Sequence, residues 1–260
     1  MTLRSAELAD LIKAALPTML APGSRDLSRR YDASVLALSG ESAADLNMLF
    51  VGPDADPAGV LTHAAEEATR RSLPMLVVAV PETRKVLTPA AQSLGFALAG
   101  EAPMMVLDLA SSGAGAGPGP ATVERVMTPS SIAAAAGLQA AGFGLAEPAM
   151  ARLLKDSLVL ADAPEVFLTH RDGKPISTVT LTRHGAISGV WSMATAPDQQ
   201  GRGGGRALLE AVLTQQSAQG VSRAFLMATE AGLPLYRRLG FRTAFMCAVW
   251  ARGSAAQGWT

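Results

Sequence analysis

The sequence predicts an α/β fold with a mixed sheet, arranged as two tandem domains over 260 residues. Apolar runs at strand spacing alternate with apolar runs at helix spacing throughout the chain. A Gly/Pro/Ser stretch at 111–120 interrupts them and has the composition of a linker, because it cannot bury a core. We therefore expect one domain at 1–110 and a second at 121–260.

The N-terminal half begins with a predicted helix at 3–20, which Pro22 and Gly23 end. Its other predicted elements are strands at 35–38 and 46–51, a helix at 57–72, a strand at 75–80, a helix at 83–94, and extended structure at 96–109 with a break at 101–103.

The C-terminal half is predicted as a strand, two helices, three strands, a helix, a strand, a short helix and a strand. Asp172-Gly173 is a strong hairpin signal between the first two of the three consecutive strands. The predicted bounds are 122–127, 130–143, 147–159, 165–169, 176–182 and 187–195, then a helix that includes 207–213 and ends at Gly220, then 224–228, 233–239 and 241–251.

A glycine-rich loop follows the predicted strand at 187–195 and precedes a helix. Its glycines let backbone N–H groups point into one concavity, and the helix start adds unpaired donors and the positive end of the helix dipole. This arrangement suits a phosphate or pyrophosphate. The residues concerned are Gln200, Gly201, Arg202, Gly203, Gly204, Gly205 and Arg206, with the two arginines adding positive charge.

The loop lacks the Gly-x-x-x-x-Gly-Lys-Ser/Thr of a P-loop and the spacing of a dinucleotide fingerprint. It does contain Gln-x-x-Gly-x-Gly, formed by Gln200, Gly203 and Gly205. With the order of elements over residues 121–252, this resembles the acyl-CoA pyrophosphate loop of the GNAT-type N-acetyltransferase superfamily. The resemblance implies two tandem GNAT-like acyl-CoA N-acyltransferase domains and acetyl-CoA as co-substrate.

In that family, the end of the strand before the loop pairs its backbone with the pantetheine arm of the cofactor. The resemblance maps this role to Met193, Ala194 and Thr195, one of whose N–H groups would also polarise the thioester. It implies direct transfer of acetyl to a primary amine on a small molecule or a peptide, and it involves no metal.

Family members commonly protonate the leaving thiolate with a tyrosine five residues before the phenylalanine of a Leu-Gly-Phe motif. Here that position is Tyr236, ahead of Phe241. The base that accepts the amine proton is less evident. Glu230 follows a predicted strand and could face the cleft, although an exposed loop carboxylate is the simpler interpretation. Thr229 stands where the family often has an asparagine.

The two halves resemble each other. Each contains a window that runs from a strand end through helix, strand and helix to a Leu-Gly-Phe, at 94–96 and at 239–241. The first copy has Asp54 and Asp56 where the second has glycines and arginines, and negative charge repels a pyrophosphate. We therefore expect the N-terminal copy to be degenerate and not to bind CoA.

Composition restricts the partners. The formal net charge is zero, which gives no reason to expect nucleic acid or an anionic membrane. No run of 18 apolar residues predicts a membrane span. The single cysteine, Cys247, excludes an intrachain disulfide and suits a reducing, cytoplasmic setting. A tandem pseudo-dimer is compatible with a monomer or a homodimer.

Two alternatives to an acetyltransferase remain open. A non-catalytic acyl-CoA-binding sensor or structural protein would keep the loop without turnover, and the lack of an obvious base favours it. A nucleotide-binding protein could use the same loop, although the absence of a Walker lysine disfavours that interpretation.

Overall fold

The computed structural model describes residues 3–22, 27–109 and 122–253. These residues divide into two compact units. Unit 1 contains the described residues up to 104, together with 228–231 and those from 243 onward, and unit 2 contains 105–227 and 232–242. The predicted linker at 111–120 lies outside the described residues. The two-domain assignment with boundaries at 110 and 121 therefore stays a prediction.

Unit 1 has a mixed sheet in the order β1-β2-β3-β4-β11-β5. Strand β2 is antiparallel to both β1 and β3, β3 and β4 are parallel, and β11 is antiparallel to β4. The elements are α1 (Ser5–Leu20), β1 (Ser28–Arg30), β2 (Val35–Leu38), β3 (Asn47–Val51), α2 (Pro57–Arg70), β4 (Met75–Ala79), α3 (Pro81–Ser93), β5 (Ala97–Asp108, of which 105–108 belong to unit 2) and β11 (Arg242–Arg252, of which 242 belongs to unit 2). Its core includes fully buried Leu61, Val77 and Trp250.

Unit 2 has the sheet order β5-β10-β9-β8-β7-β6. Strands β6 to β9 are antiparallel neighbours, and β9 and β10 are parallel. The elements are β6 (Val123–Arg125), α4 (Pro129–Phe143), α5 (Glu147–Ser157), β7 (Glu165–Arg171), β8 (Lys174–His184), β9 (Ile187–Thr195), α6 (Gly204–Ala218), β10 (Arg223–Met227) and α7 (Leu233–Arg238). Helix α6 packs against β7, β8 and β9, and α4 packs against the same three strands.

The mixed α/β architecture confirms the predicted fold class. The assignment of strands to units does not follow the halves of the sequence, because β11 pairs with β4 of unit 1. Pairing of this kind joins residues far apart in sequence, and local patterns carry no information about it.

Three local predictions need correction. Strand β5 is continuous from Ala97 to Asp108, so the predicted break at 101–103 is wrong. A proline lacks a donor but keeps its acceptor, and the Pro103 carbonyl accepts a hydrogen bond from the Ala228 N–H at 3.0 Å. Strand β1 was not predicted. Helix α6 begins at Gly204, three residues before its apolar run, so two of the loop glycines are helical.

Candidate functional site

Strand β9 separates from β10 on the way to the glycine loop. The parallel pairing comprises three residue pairs and ends at Phe225 with Gly189, whereas β9 continues to Thr195. Against β8, the register shifts so that Ser192 and Met193 lie opposite a single residue, and Ser192 has φ +45°. A bulge of this kind bends a strand and locally interrupts its pairing, which resumes where Ala194 and Thr195 lie opposite Thr178 and Ser177. It includes Met193, the first of the three residues, Met193 to Thr195, that the resemblance assigns to the pantetheine arm.

The four glycines of the loop serve two different purposes. Gly201 and Gly203 have φ of +73° and +81° and face open space, so they are needed for backbone conformation. A Cβ on Gly204 would lie 2.7 Å from the Ile176 side chain, and one on Gly205 would lie 2.8 Å from Thr195 Oγ1. These two glycines are therefore needed for close packing of α6 onto β8 and β9.

The N-terminus of α6 faces the loop without a side-chain cap. Gly203 is the N-cap residue, and the first helical hydrogen bond runs from the Ala207 N–H to the Gly203 carbonyl at 2.9 Å. The N–H groups of the first turn therefore have no acceptor within the helix, and the dipole adds positive potential. Arg202 is exposed, whereas Arg206 pairs with Glu210 at 2.9 Å. This end of the helix is suited to an anion.

Contacts from β8 and β9 hold the loop in place. The Ala196 N–H donates to the Ile176 carbonyl at 2.9 Å, and the Ser177 and Thr195 hydroxyls lie 2.9 Å apart. The Gln200 side-chain amide donates to the Thr195 carbonyl at 3.3 Å, so the glutamine of the motif closes the turn onto the strand. Ile176 and Ser177 belong to no sequence motif, because their contacts with the loop depend on the register between strands.

Tyr236 lies on the short helix α7, whose N-cap residue is Gly232 and whose C-cap residue is Leu239. The Tyr236 N–H donates to the Gly232 carbonyl. Its side chain is 9% exposed and meets the Phe241 ring edge-on, with 5.8 Å between centroids. Burial raises its pKa to about 12. Among the residues that the structure describes, none hydrogen-bonds its hydroxyl. The phenol is therefore neutral at physiological pH.

Glu230 is exposed and lies in the segment 228–231, which belongs to unit 1, whereas Tyr236 belongs to unit 2. Its role as base stays a prediction. Cys247 is fully buried, and burial together with the nearby Glu82 carboxylate raises its pKa to about 12. A neutral, inaccessible thiol is not a nucleophile.

Trp191 lies on β9, two residues beyond Gly189, where the pairing of β9 with β10 ends. Its indole N–H donates to Thr182 Oγ1 at 2.8 Å, and its ring meets Phe225 edge-on at 5.6 Å. These contacts fix one edge of the ring, and the side chain is only half-buried.

The corresponding helix start in unit 1 is built differently. Asp56 is the N-cap residue of α2, and its carboxylate accepts from the Gly59 N–H at 2.9 Å. Asp54 accepts from the Ala33 N–H at 3.1 Å. The Asp56 carboxylate therefore occupies a donor at this helix start, in contrast to the start of α6, which has no side-chain cap.

Within the described ranges, no group of three or more His, Cys, Asp or Glu side chains is placed to hold a metal ion. None of the described helices is long and apolar enough to cross a membrane.

Comparison with known proteins supports the fold. Residues 162–243 match the family model of the acetyltransferase (GNAT) domain. The structure is similar to a GCN5-related N-acetyltransferase from Kribbella flavida, with TM-score 0.68, 16% identity and 95% of each chain covered. A GCN5-related N-acetyltransferase from Sphaerobacter thermophilus gives TM-score 0.60 and 15% identity, over 84% of this chain and 76% of the other.

A tandem GNAT protein from the clavulanic acid biosynthesis pathway, in a structure without AcCoA, gives TM-score 0.56 and 14% identity over 97% of each chain. No curated protein matches the sequence. At these identities the structural likeness shows the fold, and the family model adds the GNAT domain in the C-terminal half.

Proposed function

We propose that this chain, whose residues 162–243 form a GNAT acetyltransferase domain, is an acetyl-CoA-dependent N-acetyltransferase that transfers acetyl directly to a primary amine. The observation that supports this most directly is the junction of β9, the glycine loop and α6. A bulged strand that leaves its neighbour leads into a loop of positive-φ glycines and an uncapped helix N-terminus. Acetyl-CoA would fit all three features, because it is an extended thioester that carries a pyrophosphate.

In the proposed reaction the loop holds the pyrophosphate, through the N–H groups of Gly204 and Gly205 and the charge of Arg202. The backbone of Met193 to Thr195 pairs with the pantetheine arm, and one of its N–H groups stabilises the thioester oxygen as it gains charge. These assignments come from the family resemblance and are consistent with the end of β9, which pairs with β8 and no longer pairs with β10.

The amine attacks the thioester carbon, a C–N bond forms, and the C–S bond breaks. Tyr236 gives its proton to the departing thiolate of CoA, and the amine loses a proton to a base, for which Glu230 is the candidate. Solvent or the released amine proton restores the phenol. No covalent enzyme intermediate is needed, which agrees with the burial of Cys247.

The N-terminal half is proposed to be inactive toward CoA. Its helix start carries Asp56 as a cap, so an incoming phosphate would have to displace a carboxylate and would meet a second one at Asp54. We expect one binding site per chain. The acceptor is a small-molecule or peptide amine, and the proposed setting is the cytoplasm, as a monomer or homodimer.

Calorimetric titration with acetyl-CoA tests the binding half of this proposal. The informative variant is Gly203→Glu, and Gly220→Glu is its matched control, because both glycines are exposed, face open space and have φ of +81° and +90° at opposite ends of α6. We expect saturation at one site per chain, lost in Gly203→Glu and kept in Gly220→Glu. Two sites per chain would show that the N-terminal half also binds CoA.

Release of CoA thiol in the presence of a panel of amines tests the catalytic half. A sensor or structural protein would bind acetyl-CoA and release no thiol with any amine. Competition by ATP for the same site would instead favour the nucleotide-binding alternative.

A further inference from the structure

Arg171 holds the glycine loop from outside the motif. It is the last residue of β7, and its guanidinium donates to Gln199 Oε1 at 2.9 Å and to the Arg202 carbonyl at 3.2 Å. We infer that Arg171 is a positioning residue that keeps the loop in its phosphate-binding conformation. This inference rests on the proposed function, because it assumes that acetyl-CoA binds at the loop.

The loop needs such a support because its glycines face open space. The two acceptors of Arg171 flank the turn that contains Gly201, and no atom of the described residues lies within 4 Å of a Cβ added at Gly201 or Gly203. Holding a turn of positive-φ glycines in one conformation costs conformational entropy. A planar guanidinium that bridges both sides of the turn reduces that cost before the ligand arrives.

A bulge in the β7–β8 hairpin contributes to the same support. The pairing shifts between Thr169 and His170, whose partners are Ser177 and Pro175, so Ile176 is the extra residue on β8. Ile176 accepts the Ala196 N–H with its carbonyl, and its side chain meets Gly204. The bulged residue therefore contacts both ends of the loop, and Arg171, from the same hairpin, contacts the turn between them.

The same helix offers a matched control. Arg183, at the other hairpin of β8, donates to the Gln219 carbonyl at 2.7 Å and to Gln219 Oε1 at 3.3 Å. Arg183 thus contacts the C-terminal end of α6, whereas Arg171 contacts the loop that precedes the N-terminal end of α6. Loss of Arg183 removes a comparable surface contact without touching the loop.

The experiment measures acetyl-CoA affinity by calorimetry and steady-state kinetics for the wild type, Arg171→Ala, Arg171→Lys and Arg183→Ala. We expect the dissociation constant and the KM for acetyl-CoA to rise about tenfold in both Arg171 variants, with kcat at saturation unchanged. Arg171→Lys is the decisive variant, because it keeps the charge and loses the bridge. Arg183→Ala should bind acetyl-CoA like the wild type, even if its melting temperature falls as much as that of Arg171→Ala.

Three outcomes would overturn the inference. Wild-type affinity in Arg171→Lys would show that charge alone matters. A defect that disappears when the 3′-dephospho form of acetyl-CoA replaces acetyl-CoA as the titrant would show that Arg171 contacts the 3′-phosphate of the ligand directly instead of supporting the loop. Unchanged affinity in Arg171→Ala would show that the loop keeps its conformation without the contacts of Arg171. If the wild type bound no acetyl-CoA at all, the proposed function would fail together with this inference.

Discussion

Gly205 and Thr195 meet where α6 packs onto β9, and a Cβ on Gly205 would lie 2.8 Å from Thr195 Oγ1. The same added atom would lie 3.1 Å from Met193 Cε, which can move aside because it ends a flexible side chain. The Thr195 hydroxyl has less freedom, because it lies 2.9 Å from the Ser177 hydroxyl. The glycine therefore fixes how closely the helix N-terminus approaches the strand that would carry the pantetheine.

Gly205→Ala should move the start of α6 away from β9 and weaken acetyl-CoA binding about tenfold, with a loss of about 1–2 kcal/mol in the free energy of unfolding, the usual cost of overpacking. Thr195→Ala removes the clashing oxygen. We expect the double variant Gly205→Ala/Thr195→Ala to bind acetyl-CoA better than Gly205→Ala alone, measured by calorimetry and urea unfolding. Additive losses in the double variant would contradict the steric explanation.

Tyr236→Phe should lower kcat about 100-fold, in the range of a lost general acid, and leave the KM for acetyl-CoA near its wild-type value. The ring keeps its edge-on contact with Phe241, so the free energy of unfolding should barely change. The control is Phe241→Leu, which disturbs the same packing and retains the hydroxyl. An equal loss of kcat in both variants would indicate a packing role for Tyr236.

The pH profile gives an independent test of the same residue. Burial raises the pKa of Tyr236 to about 12, so the phenol stays protonated throughout the range in which the protein can be assayed. We expect no fall in kcat due to loss of this proton between pH 7 and 10. A falling limb with an apparent pKa near 9 that is present in the wild type and absent in Tyr236→Phe would contradict the burial effect.

Local sequence signals gave the fold class and most elements of the chain. The glycine loop, the hairpin at Asp172 and the alternation of helices and strands are all set by residues close in sequence. Strand β11 shows the limit of such signals: its own pattern predicts a strand, and nothing in it indicates that β4, far away in sequence, is its partner.

The sequence predicts only the part of the candidate site that lies within the glycine-loop motif. The different purposes of Gly201 and Gly205 follow from backbone angles and from the distance to Thr195, which a run of glycines does not reveal. No local sequence signal marks Arg171, because its acceptors lie at Gln199 and Arg202 and only the fold brings the three residues together.

Arg252 should contribute strongly to the stability of unit 1. Its guanidinium donates to the Leu94 and Ala65 carbonyls, at 3.3 and 3.0 Å, and lies 4.8 Å from the centre of the Phe96 ring. Arg252→Ala should lower the free energy of unfolding by about 1–3 kcal/mol, measured by urea denaturation, through lost charged hydrogen bonds and the cation–π contact.

Arg252→Lys is the matched variant, because it retains a cation over the ring but cannot reach both carbonyls. We expect an intermediate loss. Because Arg252 is remote from the glycine loop in sequence and lies in unit 1, acetyl-CoA affinity should stay unchanged. A loss of affinity equal to that of a loop variant would contradict a purely structural role.

Cys247 should make the protein sensitive to alkaline pH. Burial raises the pKa of its thiol from 9.0 to about 12, so above pH 9 the unfolded chain loses this proton while the folded chain keeps it. The stabilisation from the raised pKa is complete below pH 9 and is lost as the pH rises toward 12. Between pH 9 and 10 the wild type should lose about 1 kcal/mol more than Cys247→Ala, whose thiol cannot ionise.

Urea denaturation of both proteins at pH 7, 9 and 10 measures this difference, and alkylation by iodoacetamide at pH 8 provides a second readout. The folded wild type should resist alkylation, because its thiol is buried and neutral, and it should react once urea unfolds it. Parallel stability curves for the two proteins, or rapid alkylation of the folded chain, would show that Cys247 is more accessible than its position in β11 implies.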